Sequence, residues 1–364
     1  MHKINIYFRF SMPADHDFPE GMTILMTGGS GFLGTAIVRE LVEDGSPLPV
    51  KEIRILDLGK PLYPLGQQIR YIPGDVRNHE LLLGACQGAD LVFHAAAVVD
   101  WGTKSTAEVM SVNVTGTRNV IQACLENGVP YLLFTSSLDV LYDGHPLVDA
   151  DEDTPYPERH ATSYCRSKCL AERAVLEANS DALATCSLRP ADIYGEGDPY
   201  HMGSLVNMAR GGFYVRLGNG RSRCQHVYVG NIAQAHLLAA ARMMQDRSTV
   251  GGQAYFITDG PGSNFFTFFD SIVEAAGYRI WPPNLWLPRW LAMGIGSIAE
   301  FIAFLARPVK RYCPKMSRFA VTYTCTDYTF DSAKARRDFN FIPKYSGEEA
   351  FRRTVDHFRR SNTL

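Results

Sequence analysis

The stretch Thr23-Ile24-Leu25-Met26-Thr27-Gly28-Gly29-Ser30-Gly31-Phe32-Leu33-Gly34 runs from a short apolar segment into a glycine-spaced turn, and Thr35 to Val42 continue with helical character. Glycine is needed in such a turn for three reasons. The chain must reverse tightly, the backbone must approach a pyrophosphate closely, and the new helix must pack near the strand it has left. The helix N-terminus then faces the phosphate charge. A glycine-rich loop alone is common, but one set between an apolar run and a helical run predicts a strand, a dinucleotide loop and a helix.

Working outward, Ile53 to Leu58, Ile69 to Ile72, Leu91 to Ala95 and Tyr131 to Phe134 are further strand candidates, separated by helical stretches at Glu80 to Cys86 and Asn113 to Asn127. This alternation predicts an α/β fold, a Rossmann-type doubly wound parallel sheet with helices on both faces. Past about Pro190, Gly, Pro and aromatic residues become denser. A helix over Asn231 to Met244 and a strand over Ala254 to Thr258 nevertheless read as returns to the sheet. The expected division is a loose N-terminal extension at 1–21 and a dinucleotide-binding domain at 22–190 with returns near 231–258. A smaller, interleaved substrate lobe takes 191–230 and 259–364.

With 46% hydrophobic residues in 364, the chain has apolar mass enough to exclude disorder. Its net charge of −2, from 36 basic and 38 acidic residues, offers no footprint for nucleic acid. The eight cysteines form no Cys-x-x-Cys pair, which argues for reduced thiols in an intracellular protein. Cys165 and Cys169 lie one helical turn apart, but no His or carboxylate pair completes a metal site, so packing is the expected role and no metal is expected. Asn5 and Arg9 interrupt the only apolar stretch near the N-terminus, which argues against a secretory signal. A cytoplasmic protein, or one peripheral on the cytoplasmic face of a membrane, is expected.

Three further elements carry chemistry. Asp57 ends its strand a little over twenty residues past Gly34. A carboxylate there accepts from the adenosine ribose hydroxyls and repels a 2′-phosphate, favouring NAD over NADP. Arg54 and Lys60 are near enough in sequence to soften that preference, and a solvated aspartate at a strand end is the plainer alternative. Tyr164 and Lys168 stand four apart on a predicted helix, so phenol and ammonium share a face, where the cation favours the phenolate. Thr135-Ser136-Ser137 ends a predicted parallel strand, where hydroxyls face the ligand crevice; a turn-forming serine pair is the alternative.

Together with Gly74-Asp75-Val76, His94-Ala95-Ala96-Ala97 and Val112-Asn113-Val114-Thr115-Gly116-Thr117, these motifs resemble an extended short-chain dehydrogenase/reductase. Leu188-Arg189-Pro190-Ala191-Asp192-Ile193-Tyr194-Gly195-Glu196-Gly197-Asp198, Val227 to His236 and Gly252 to Asp259 narrow the resemblance to the 3β-hydroxysteroid dehydrogenase/isomerase family, from Met22 to about Phe358. The resemblance implies NAD as cofactor, Tyr164 as acid/base, Lys168 on the nicotinamide ribose, Ser137 on the substrate oxygen and Asn113 as support. It further implies that Gly28, Gly31, Phe32, Leu33 and Gly34 cradle the dinucleotide with Asp57, Thr135 and Ser136. Asp75 and Val76 would flank the adenine, Ala95, Ala96 and Ala97 would line the dinucleotide, and Pro190 with Ile193 would press on the nicotinamide. A homodimer is usual among resembling enzymes. The implied reaction interconverts a 3β-hydroxyl and a 3-ketone on a steroid or sterol. A decarboxylating sterol-4α-carboxylate 3-dehydrogenase, a reductase of a non-steroid ketone and a non-catalytic dinucleotide sensor are the alternatives.

Phe265, Phe266, Phe268, Phe269, Trp281, Trp286 and Trp290 supply apolar surface suited to a rigid hydrophobic ligand, or to packing. The segment 285–309 is nearly all apolar between Trp290 and Ala306, with Gly296, Ser297 and Glu300 on one helical face and Leu291, Ile295, Ile298, Ile302 and Leu305 on the rest. It reads as an interfacial helix dipping into one leaflet, or as a pocket cap covered by a partner subunit.

Overall fold

The computed structural model describes residues 21–61, 66–100, 104–306 and 316–362. The extension expected at 1–21 lies outside them except for Gly21, as does the end of the 285–309 segment. Seven strands form one parallel sheet: β1 (Met22–Thr27), β2 (Val50–Asp57), β3 (Ile69–Pro73), β4 (Leu91–His94), β5 (Tyr131–Thr135), β6 (Ala184–Pro190) and β7 (Gln253–Ile257). Every residue of β4, β5 and β6 is buried; β4 and β5 accordingly read as largely apolar runs rather than alternating ones, whereas β6 buries Thr185, Ser187 and Arg189.

Side chains still alternate between faces. Ile24, Met26 and Phe93 join the core under α1 (Phe32–Val42) and α5 (Val229–Gln245), whereas Leu25, Val92 and Leu132 join the core under α2 (His79–Cys86), α3 (Gly116–Asn127) and α4 (Ser163–Glu177). The strand order is β7-β6-β5-β4-β1-β2-β3. The chain therefore walks outward from β1 to β3, returns to the other side of β1, and walks outward again. Loops leaving β1 and β4 diverge at that reversal, opening a crevice at their carboxyl ends.

The helix expected to begin at Asn113 begins instead at Gly116. Asn113 sits in a wider turn, Ser111–Thr115, with i→i+5 hydrogen bonding, and a short helix, Thr106–Met110, precedes it. Such turns re-aim side chains within an otherwise helical run. Helix α4 starts at the cap Thr162, whose hydroxyl accepts from the Cys165 amide at 3.1 Å. It is pinned to β6 by a buried ion pair. Arg189 Nη2 donates to Glu172 Oε1 at 2.8 Å, and Tyr156 and Ser187 each donate to the same carboxylate at 2.7 Å. Breaking such a pair costs about 3–5 kcal/mol, so the face that α4 presents to the crevice is strongly held.

The remaining described strands pair two by two outside the sheet: Asp192–Tyr194 with His226–Tyr228, Arg216–Leu217 with Trp286–Leu287, and Leu147–Ala150 with Tyr328–Phe330. The phenylalanines of α6 (Phe265–Ala275) settle the choice between ligand surface and packing. Phe265, Phe266 and Phe269 are buried in the core, and Phe268 stacks on His226 at 4.1 Å between ring centroids. None of the four lines the crevice.

Candidate active site

The crevice is a cavity of about 580 Å³ at the carboxyl ends of the sheet strands. Every predicted cofactor and catalytic residue except Asn113 lines it, from Gly28 to Gly34 at one wall to Pro190 and Ile193 at another. The loop glycines are needed on steric grounds. A Cβ on Gly28, at φ +76°, would lie 2.7 Å from the Ala96 amide, and one on Gly34 would lie 2.1 Å from the Gly28 carbonyl. No side chain caps the N-terminus of α1 behind Gly31, so its first amides are left for an anion.

Asp57 accepts from the Ser30 amide and the Gly59 amide, each at 3.0 Å, which ties the strand end to the glycine loop and leaves a carboxylate at the cavity wall. Arg54, expected near it, points elsewhere: its guanidinium donates to Glu52 and to the carbonyls of Ala85 and Gln87. Arg77 does reach the cavity, held by Asp75, and the arginine in turn holds the Asp75 carboxyl below its ordinary range.

Asn113 stands one layer behind the wall. Its side chain receives the Val98 amide at 2.7 Å and donates to the Val98 carbonyl at 3.0 Å and to Ser167 Oγ at 2.9 Å. It thereby clamps the loop after β4 to α4, between Tyr164 and Lys168. Lys168 is buried, with Nζ donating to the Thr135 carbonyl at 2.6 Å and lying 4.2 Å from the centroid of the Phe134 ring. Burial lowers its pKa to about 7 against the opposing pull of Glu172 and Asp139. The Thr135 hydroxyl is turned to His236 at 2.8 Å, so Thr135 offers the cavity its backbone. Ser136 Oγ, by contrast, is buried at the cavity without a partner among the described residues.

Tyr164 is within hydrogen-bonding reach of Ser137, yet burial and the Asp139 carboxylate together hold its phenol well above the ordinary tyrosine range. Ser137 Oγ donates to Asp139 Oδ2 at 2.7 Å. Beyond lies Asp192, 7% exposed, accepting from the Tyr323 hydroxyl at 2.5 Å with His201 Nε2 at 3.6 Å. Asp139 follows Ser137 by two residues, and Asp192 lies inside the Leu188 to Asp198 run, so both were in view of the sequence without an assigned role. Tyr323 carried no signal, because it arrives from α8 (Arg318–Thr324), far along the chain.

Asp192, Cys224 and His226 also bring three ligand atoms within 4.8 Å of one another. His226 Nε2 faces the sulfur at 3.7 Å, however, while Nδ1 faces the carboxylate at 4.0 Å. An ion there would take a single nitrogen of this ring, with the sulfur and one carboxylate oxygen as its other ligand atoms.

A sequence profile of the 3-beta hydroxysteroid dehydrogenase/isomerase family matches residues 25–287. The chain belongs to this family. Among its relatives, 3 beta-hydroxysteroid dehydrogenase type 7 of Mus musculus is 36% identical, covering 92% of this chain and 95% of the relative. The 3beta-hydroxysteroid-dehydrogenase/decarboxylase isoform 1 of Arabidopsis thaliana is 35% identical, covering 92% and 79%. The solved dTDP-glucose 4,6-dehydratase of Streptomyces venezuelae, with NAD bound, shares the fold at a TM-score of 0.75 and 21% identity, covering 94% of this chain and 98% of that one. As a member of the family the protein is an NAD-dependent oxidoreductase acting on a CH–OH group. The uncapped α1 terminus, the steric need for Gly28 and Gly34, and Asp57 at the wall fit that cofactor.

Proposed function

We propose that the protein is a 3β-hydroxysteroid or sterol dehydrogenase in which Tyr164 exchanges the proton of the reacting oxygen. The observation that carries the reading is the convergence of Tyr164, Ser137 and Lys168 on one cavity, with Asn113 bracing α4 from behind. NAD, when bound, supplies the hydride acceptor. Ser137 then orients the substrate oxygen toward Tyr164, Lys168 holds ribose hydroxyls, and Val98, Leu138, Phe319 and Tyr323 offer apolar surface to a rigid ligand.

A specific observation favours simple oxidation over the decarboxylating reaction. The Lys and Arg side chains lining the cavity among the described residues are each matched: Arg77 by Asp75, Lys104 by Glu108, and Lys168 by the Thr135 carbonyl. A substrate carboxylate would meet Asp139 and Asp192 instead. The second part of the proposal concerns α7 (Arg289–Ala306), which we assign to a membrane surface. Trp290, Ile298, Phe301 and Ile302 are all more than half exposed, whereas Glu300 is turned inward to accept from the Arg318 amide. No helix among the described residues is long and apolar enough to cross a membrane.

Purified protein given NAD and a 3β-hydroxysteroid should accumulate reduced cofactor, and Tyr164→Phe should lower kcat by about 10²–10⁴-fold while NAD affinity changes little. Binding of NAD without turnover of any 3β-hydroxysteroid, and with Tyr164→Phe indistinguishable from the parent, sinks the reading. Carbon dioxide released from a 4α-carboxysterol moves it to the decarboxylating reaction.

A further inference from the structure

Removing the proton of the Tyr164 phenol calls for an acceptor, and Lys168 Nζ is engaged with the Thr135 carbonyl at 2.6 Å. The site nevertheless contains an acceptor. Tyr164 lies within reach of Ser137, and Ser137 Oγ already donates to Asp139 Oδ2 at 2.7 Å. The second oxygen, Asp139 Oδ1, is buried and has no hydrogen-bond partner among the described residues, and the same is true of Asp192 Oδ2, which has only His226 Nδ1 at 4.0 Å. Both aspartates line the cavity that holds Tyr164.

We infer that Asp139, backed by Asp192, takes up the proton that the reaction releases, through Ser137 and Tyr164. The inference rests on the proposed role of Tyr164 as acid/base. In oxidation, the Tyr164 O–H proton moves to Ser137 as the Ser137 proton moves to Asp139, and the phenolate so formed takes the proton of the substrate hydroxyl. The substrate O–H bond breaks and an Asp139 O–H bond forms. Tyr164 and Ser137 each give one proton and receive one, and no electrons move along this line. Reduction runs the same transfers backward.

The surroundings suit a carboxyl that exchanges its proton near neutrality. Burial raises Asp139 to about 7, the charge of Asp192 adds to the shift, and Ser137 and Lys168 oppose it. Tyr142, from the same turn, and Cys165, from α4, face Asp139 and stay neutral, each pushed upward by burial first and by that carboxylate second. Asp192 is likewise raised to about 7 by burial, against the Tyr323 hydrogen bond. It is faced by His201 and His226, both kept below the ordinary histidine range by burial, and by the Cys224 thiol, which burial raises.

The test compares the full chain with Asp139→Asn, Asp192→Asn, Ser137→Ala and Tyr164→Phe, using a 3β-hydroxysteroid and NAD across pH. Asp139→Asn should lower kcat by about 10²-fold, leave KM within a few-fold, and remove the ionisation near neutrality from the kcat profile. Asp192→Asn should keep that ionisation but move it to lower pH, because the like charge is gone. Infrared titration of the protonated-carboxyl stretch gives a readout independent of turnover: a band lost near neutral pH in the parent should be absent from Asp139→Asn. An Asp139→Asn enzyme with the parent's pH profile, or a parent in which no carboxyl titrates above about pH 5, overturns the inference. If Tyr164→Phe alone leaves turnover intact, it is the reading of Tyr164 that has failed.

Discussion

Asp57 holds the glycine loop through the Ser30 amide and stands at the cavity wall, where we propose that the same carboxylate meets the cofactor ribose. Hydrogen bonds to a charged group are worth about 1.5–3 kcal/mol. Asp57→Ala should therefore weaken NAD binding by about 10- to 100-fold and narrow the preference over NADP, because the repulsion of a 2′-phosphate disappears. Fluorescence titration with both reduced cofactors measures this, and an unchanged ratio of the two affinities counts against the assignment. At this scale the sequence was most legible where spacing is local. The strand end after the glycine loop marks Asp57, and a four-residue step on one helix marks Tyr164 and Lys168. The direction of Arg54 was not legible, because its acceptors, the Ala85 and Gln87 carbonyls, belong to a different connection.

Among the elements, the junction of β1, β4 and α3 is bolted by one imidazole. The Thr117 hydroxyl donates to the Asn113 carbonyl at 2.6 Å, so it accepts from His94 Nε2 at 2.9 Å, and His94 Nδ1 accepts from the Thr27 hydroxyl at 2.7 Å. A second proton on this ring would reverse the Thr27 hydrogen bond, and burial, helped by Lys168, lowers its pKa to about 3. The folded chain keeps His94 neutral while the unfolded chain takes up a proton below about pH 6.5. The stabilisation is therefore complete above that pH and is lost as pH falls toward 3, by about 1.4 kcal/mol per unit. His94→Gln has no such linkage. The stability gap between parent and variant in urea should narrow by about 1 kcal/mol between about pH 6.5 and about pH 5.5, and a gap independent of pH contradicts the account. The wide turn that carries Asn113 was read as ordinary helix because its residues have helical spacing. The same residue is clamped to Val98 and Ser167, which belong to segments distant in sequence.

For the whole molecule, the sheet order brings the ends of β1, β2, β4, β5 and β6 to one cavity, and the pairing of Tyr328–Phe330 with Leu147–Ala150 draws the C-terminal segment back beside the site. Helix α7 stands out from this body. Its small and polar face packs on the start of α8, where a Cβ on Gly296 would lie 3.1 Å from the Arg318 amide, and its apolar face is left outward. The chain should float with anionic lipid vesicles, and Ile298→Glu with Ile302→Glu should leave it in the lipid-free fraction while steroid turnover in detergent is retained. Equal flotation of parent and variant removes the membrane assignment. The sequence by itself determined the parallel α/β sheet, the glycine loop between strand and helix, the acidic strand end and the placing of Tyr164 and Lys168 one turn apart on one helix, because each depends on backbone conformation and spacing over a few residues. Only the tertiary structure decided which face of α7 is buried, that the α6 phenylalanines belong to the core, and that Asp139 and Asp192 stand near neutrality beside Tyr164. Burial and through-space charge set those outcomes, and both come from residues brought together by folding rather than by sequence.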